Sequence, residues 1–289
     1  MSHATPQPAV RYQSPGASRW LLDVFSYRQL LGLLLKKGTS TRYYGTFLGW
    51  AWSYVRPALQ FGMYYFVIGE VFGMRRGMEL FALYIFSGIV ILNFFRDALG
   101  SSTNSITGNG TLIKKIYLPR ELFPVASVAS TFIHFLPQVI LLVVISAIFG
   151  WRPSWINLLY VFTAIAIVFV FVLGLGLFFS AVNVVFRDAK NIVGVMAMFS
   201  MWTSPVIYSH EMIRDVLPAW IYNLYMVNPV TVSVELFHSA FYREVMPGQV
   251  SAPDYMLTNT LAGIGMAIGT LLLGQVVFRR LEGDFAQDL

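Results

Sequence analysis

Apolar residues run along this chain in long blocks, and polar and charged residues gather in the short breaks between them. Trp155 to Phe186 passes 32 residues without a charge, meets Arg187, Asp188 and Lys190, then turns apolar again. An uncharged run of roughly 18–20 residues suffices to cross a bilayer as a helix. On that criterion six spans are predicted, near 49–72, 80–100, 122–149, 155–181, 192–208 and 255–278. Arg56 and Glu70 interrupt the first. They lie about 21 Å apart along a helix, so each can reach its own headgroup layer.

Two further stretches follow different patterns. Residues 18–37 place Leu21, Val24, Phe25, Leu31 and Leu35 on one helical face, with Arg28 as an exception, and predict an amphipathic helix lying in the membrane interface. Val216–Ala240 is apolar but broken by Pro218, Asn223, Asn228 and Pro229. As a seventh span it would put Arg279 and Arg280 on the wrong side, so a segment that dips in and turns back is expected. Residues 1–17 read as a disordered cytoplasmic tail and 281–289 as a cytoplasmic tail.

The composition agrees: 56% of the 289 residues are hydrophobic and 12% charged, well short of the about 25% charge of soluble domains. Under this threading fifteen Lys and Arg fall on one side of the membrane and five on the other. The positive-inside rule therefore puts both termini in the cytoplasm. The fold class expected is an all-α, polytopic membrane protein.

The candidate chemistry is mostly exclusion. Without cysteine the chain can form no disulfide, thiolate nucleophile or cysteine metal site. None of the five lysines follows a glycine, so no phosphate-cradling GxxxxGK[ST] loop exists and the chain has no ATPase site of that kind. His3, His134, His210 and His238 are scattered without metal-ligand spacing, so no metal is expected. No clustered basic face suggests a nucleic acid. Mid-membrane acids of the kind that bind coupling ions are scarce, so any transport would draw its energy from another protein.

Two short charged turns could receive that energy. One is GNGTLIKKIYLPRE, with Thr111, Leu112, Ile113, Lys114, Lys115 and Tyr117; the other carries Arg187, Asp188 and Lys190. A passive positive-inside turn and a docking knob fit these residues equally well. Trp50, Trp52, Tyr54, Phe61, Tyr64 and Tyr65 crowd the first span and could stack on sugar rings, although interfacial packing explains single rings as well.

Five segments, in order, add what composition cannot: RYYGTFLGWAWSYVRPAL (42–59), NGTLIKKIYLPRELFP (109–124), VNVVFRDAKNIV (182–193), WTSPVIYS (202–209) with VNPVT (227–231), and FRRLEGDFAQDL (278–289). Together they resemble the membrane subunit of ABC-type polysaccharide exporters, the ABC-2 permeases that move O-antigen, teichoic acid or galactan. Arg56 stands where that family more often has another polar residue, and Asn93 where Trp is frequent. The resemblance implies a single transmembrane domain over 18–280, and a homodimer above two copies of a separate ATPase that holds the ATP and Mg. It further implies a lipid-linked glycan as substrate, energy coupling at 111–117 and 187–190, and an outer gate around Pro205, Tyr208, Asn228 and Pro229. An ABC-2 permease for a drug or small lipid is the alternative.

Overall fold

Helices make up all the regular structure among the described residues of the computed structural model, which are 23–41, 45–71, 73, 78–115 and 118–285. In chain order they are α1 (Asp23–Ser26), α2 (Arg28–Thr41), α3 (Trp52–Met63), α4 (Phe81–Thr103), α5 (Gly110–Lys115), α6 (Leu122–Ile148) and α7 (Trp155–Val185). Next come α8 (Ala189–Phe199), α9 (His210–Arg214), α10 (Ala219–Met226), α11 (Pro229–Phe237), α12 (Arg243–Val245) and α13 (Met256–Leu281). Of the predicted interface helix, the described part is α1 and α2. Its first residues, like Tyr117, lie outside the described set.

Four helices, α4, α6, α7 and α13, are long and apolar enough to cross a membrane. They end within five residues of the expected boundaries. The predicted first and fifth spans are built differently. The first is helical from Gly49 to Val71, but as a 3₁₀ turn, then α3, then π-helical turns over Tyr64–Val71. Pro57 inside α3 and the widened turns after it interrupt the regular hydrogen-bond ladder. The fifth is α8, whose 11 residues reach about 16 Å, followed by turns from Ser200 to Tyr208. Pro205 can donate no backbone hydrogen bond, and an α-helix cannot run through it without losing one.

α4 forms the central post, its side chains buried almost throughout, with α6, α7 and α11 packed around it. Phe94 of α4 sits in an aromatic knot with Phe132, Phe135 and Phe169, at centroid distances of 5.8, 4.9 and 6.3 Å. α7 and α13 cross at a point where only glycine fits. A Cβ on Gly174 would come within 2.5 Å of the Leu271 nitrogen, and one on Gly274 within 2.1 Å of the Gly174 oxygen. Small residues are what allow two membrane helices to meet backbone to backbone. α11 is buried on every face, capped at its start by the Asn228 side chain, which accepts from the Val230 N–H at 3.0 Å, with Pro229 in the first turn.

Candidate functional site

The ends of α4, α5 and α7 and the starts of α6 and α8 gather Arg96, Lys114, Lys115, Arg120, Arg187 and Lys190 at one end of the molecule, here the basic end. A separate small core holds that end together. Ile113 of α5 packs with Ile106, Phe123, Leu177, Val184, Phe278 and Phe285. Thr111, Lys114 and Lys115 face outward and Leu112 is half-buried, so α5 is fastened by one side chain and presents its polar ones. In the second turn Arg187, Asp188 and Lys190 are all exposed, while Ala189 is buried. The Asp188 carboxylate accepts from the Asn191 amide at 3.4 Å, closing the first turn of α8.

The two turns are connected. Asn183, one helical turn before the second, is buried, and its amide donates to the Thr103 carbonyl at 3.2 Å and to the Thr107 hydroxyl at 3.3 Å. Thr103 closes α4, and Thr107 opens the short run into α5. One amide therefore bonds the end of α7 to the segment that leads into α5. Sequence reasoning passed over Asn183; a lone amide within so apolar a helix end was the available signal.

The same end includes the chain's last described turn. Arg120 donates to the Glu282 carbonyl and stands 5.5 Å from the centre of the Phe285 ring, while Gln275 donates to the buried Glu121 carboxylate at 2.6 Å. Burial first, and the neighbouring Glu121 second, push the Glu282 carboxyl up to about 7, against the opposing pull of Arg120.

At the opposite end the residues expected of an outer gate are held by a polar cluster. Tyr84 of α4 places its hydroxyl 3.1 Å from the Pro205 carbonyl and 3.1 Å from that of Tyr208. The Thr231 hydroxyl donates to the Thr203 carbonyl at 3.0 Å, tying the turn that holds Pro205 to the helix that Asn228 and Pro229 begin. The His238 ring stacks on Tyr84 at 3.8 Å, with Nε2 3.1 Å from the Tyr84 carbonyl. Beneath it lies Glu235, 2% exposed, its carboxylate accepting from Arg243 at 2.6 Å with the imidazoles of His210 and His238 at 3.6 and 3.9 Å. Farther out, hydrogen bonds from Ser251 hold the Glu211 carboxyl below its usual range. All four gate residues thus share one bonded assembly, and Tyr84, Glu235, His238 and Arg243 are members the sequence did not disclose.

The aromatic residues of the first span do not form one wall. Trp50 and Tyr65 are exposed, Phe61 packs inward on Phe86 at 5.3 Å, and Trp52 carries the Arg56 guanidinium 5.7 Å from its ring centre. Trp50 meets Tyr54 edge-on at 5.6 Å, and the Tyr64 hydroxyl accepts from Gln60 at 3.2 Å.

A bundle of long apolar helices with exposed charged turns at one end is the architecture of a multi-pass membrane protein. The ABC-2 type transporter family matches residues 29–242, and the chain belongs to that family. It is a multi-pass membrane protein, and membership implies an ATPase partner within an ABC transporter. Among curated proteins it is similar to the O-antigen export system permease protein RfbA of Myxococcus xanthus, 26% identical over 271 residues, 94% of this chain and 99% of that protein. Two proteins of the same name from Klebsiella pneumoniae are each 27% identical, covering 90% of this chain and 95% of their own length.

Proposed function

We propose that this chain is the channel-forming subunit of an ATP-driven exporter that moves a lipid-linked polysaccharide out of the cytoplasm across a bacterial inner membrane. The observation that carries the reading is end-to-end similarity to relatives named O-antigen export permeases, spanning at least 90% of both partners. In the assembled protein, 49–71 and 189–208 join the four long helices as the first and fifth of six spans, and both termini lie in the cytoplasm. Two copies pair, and two ATPase subunits carrying ATP and Mg sit against the basic end.

The bonding on this chain suggests how force enters. α5 and the Arg187–Lys190 turn are exposed, basic and joined through Asn183, so an ATPase pressing on either moves the ends of α4 and α7 together. Those helices run to the far end, where Tyr84 on α4 holds the Pro205–Tyr208 turn and Ser233 of α11 donates to the Ala164 carbonyl of α7 at 3.1 Å. A joint shift of α4 and α7 would thus pull on the gate turn.

Reconstituting the chain with its ATPase and labelling surface-exposed glycan tests the reading. Arg187→Glu and Asp188→Lys should each lower export about tenfold while protein levels in the membrane stay unchanged. Normal export by both variants would remove the docking role, and ATP-independent glycan exposure would remove the exporter reading.

A further inference from the structure

Two cavities of the basic half lie apart from the Arg187–Lys190 turn. One, about 230 Å³, sits between α3, α4 and α6; the other, about 550 Å³, continues from it toward α2 and the loop before α5. Asp97 and His134 line both, so the two form one cleft, whose larger part alone falls in the size range of small-molecule sites.

The walls are polar where the surrounding helices are apolar. Asn93 of α4 donates its amide to Gln60 of α3 at 3.1 Å and to Gln138 of α6 at 3.4 Å. The Gln60 amide in turn donates to the Tyr64 hydroxyl at 3.2 Å. Three amides from three helices therefore meet in one cavity. Among the described residues the Asn93 carbonyl oxygen and the Gln138 amide nitrogen have no hydrogen-bond partner, which leaves one acceptor and one donor side by side. Trp52 supplies an aromatic wall, and Ser130 and Thr131 line the continuation.

We propose that this cleft, within one subunit, binds a sugar residue at the head of the amphiphilic substrate. Neighbouring hydroxyls of a sugar ring each donate and accept, so one pair satisfies Asn93 and Gln138 together. The ring's apolar C–H face suits an indole. Asp97 shares the walls with Arg56 and Lys37, so both signs of charge line the cleft and a neutral polyol meets no repulsion from either. The proposal deepens the exporter reading and depends on it only for the step at which the sugar is held.

Photolabelling tests the binding without transport. The full chain, in phosphatidylcholine nanodiscs, is exposed to an alkyl glucoside bearing a diazirine next to its head group, and in parallel to the same chain with a phosphocholine head. The glucoside should label segments 52–60 and 134–138, with protection by excess unlabelled glucoside and none by excess phosphocholine amphiphile. Asn93→Leu and Gln138→Leu should each cut the protected labelling about three- to tenfold, the value of one hydrogen bond. Gln138→Met, which keeps the side chain's shape, serves if either fails to insert. Equal labelling by both probes, or full protected labelling in correctly inserted variants, overturns the proposal. No protected labelling of the unsubstituted chain, with export intact, would refute the cleft and leave the exporter standing; protected labelling with no ATP-driven export would do the reverse.

Discussion

Asn183 illustrates how one side chain can join parts of a chain that the sequence keeps far apart. Asn183→Leu keeps the branched shape, removes both hydrogen bonds and strands the Thr103 carbonyl in a buried setting, at a cost of about 1–3 kcal/mol. Its informative effect should be functional: ATP turnover by the reconstituted complex should persist while glycan exported per ATP falls severalfold. Glu282 offers a pH test. Its carboxyl titrates near 7 when folded against 4.5 as an ordinary value, so the folded state holds an extra proton between those limits. The contribution to stability is full below about pH 4.5 and falls away as the pH rises to about 7. Glu282→Gln should therefore raise the melting temperature by a few degrees at pH 8 and leave it nearly unchanged at pH 4.5. At the other end Arg243→Ala would leave the Glu235 charge buried without its cation, at a cost of about 3–5 kcal/mol. Faster proteolysis of the 208–254 region, with the basic end still folded, is the expected readout.

At the scale of elements, the crossing of α7 and α13 leaves least room for change. Gly174→Leu or Gly274→Leu forces the two backbones apart, and neither helix can yield locally because the contact is backbone on backbone. Loss of the monodisperse peak in size-exclusion chromatography would report it; a Gly265→Leu control, where a Cβ meets nothing within 4 Å, should behave as wild type. The long spans were legible because an uncharged run of more than 20 residues has few alternatives in a bilayer. α8 was not, since the same apolar composition continues past Phe199 and only Pro205 signals the break. The buried cluster around Glu235 was hidden for another reason. Five acids between 208 and 254 resembled a solvent-facing loop, and nothing local shows that Glu235 turns inward to Arg243, His210 and His238. Likewise Gln60, Asn93 and Gln138 meet across separations of 33 and 45 residues, which only the packing of three helices reveals.

For the whole molecule, the outward apolar residues of the first and fifth segments mark where a second copy would lie in the proposed dimer. Leu59 and Met63 of α3 and Ile192 and Met198 of α8 are each more than half exposed. Because the chain has no cysteine of its own, Leu59→Cys and Met198→Cys give single, unambiguous reporters. Mild oxidation of membranes carrying either variant, or both chains together, should yield a dimer-sized band, whereas Phe162→Cys, an exposed position on α7 outside both segments, should stay monomeric. The buried Glu235–Arg243 pair has a consequence for how such a molecule is made. Both charges lie on one short helical segment, linked through Ser239, so each counter-ion is present before any other helix arrives. The segment can leave water already neutralised, and the order in which the ribosome delivers its neighbours need not be the order in which they assemble around it.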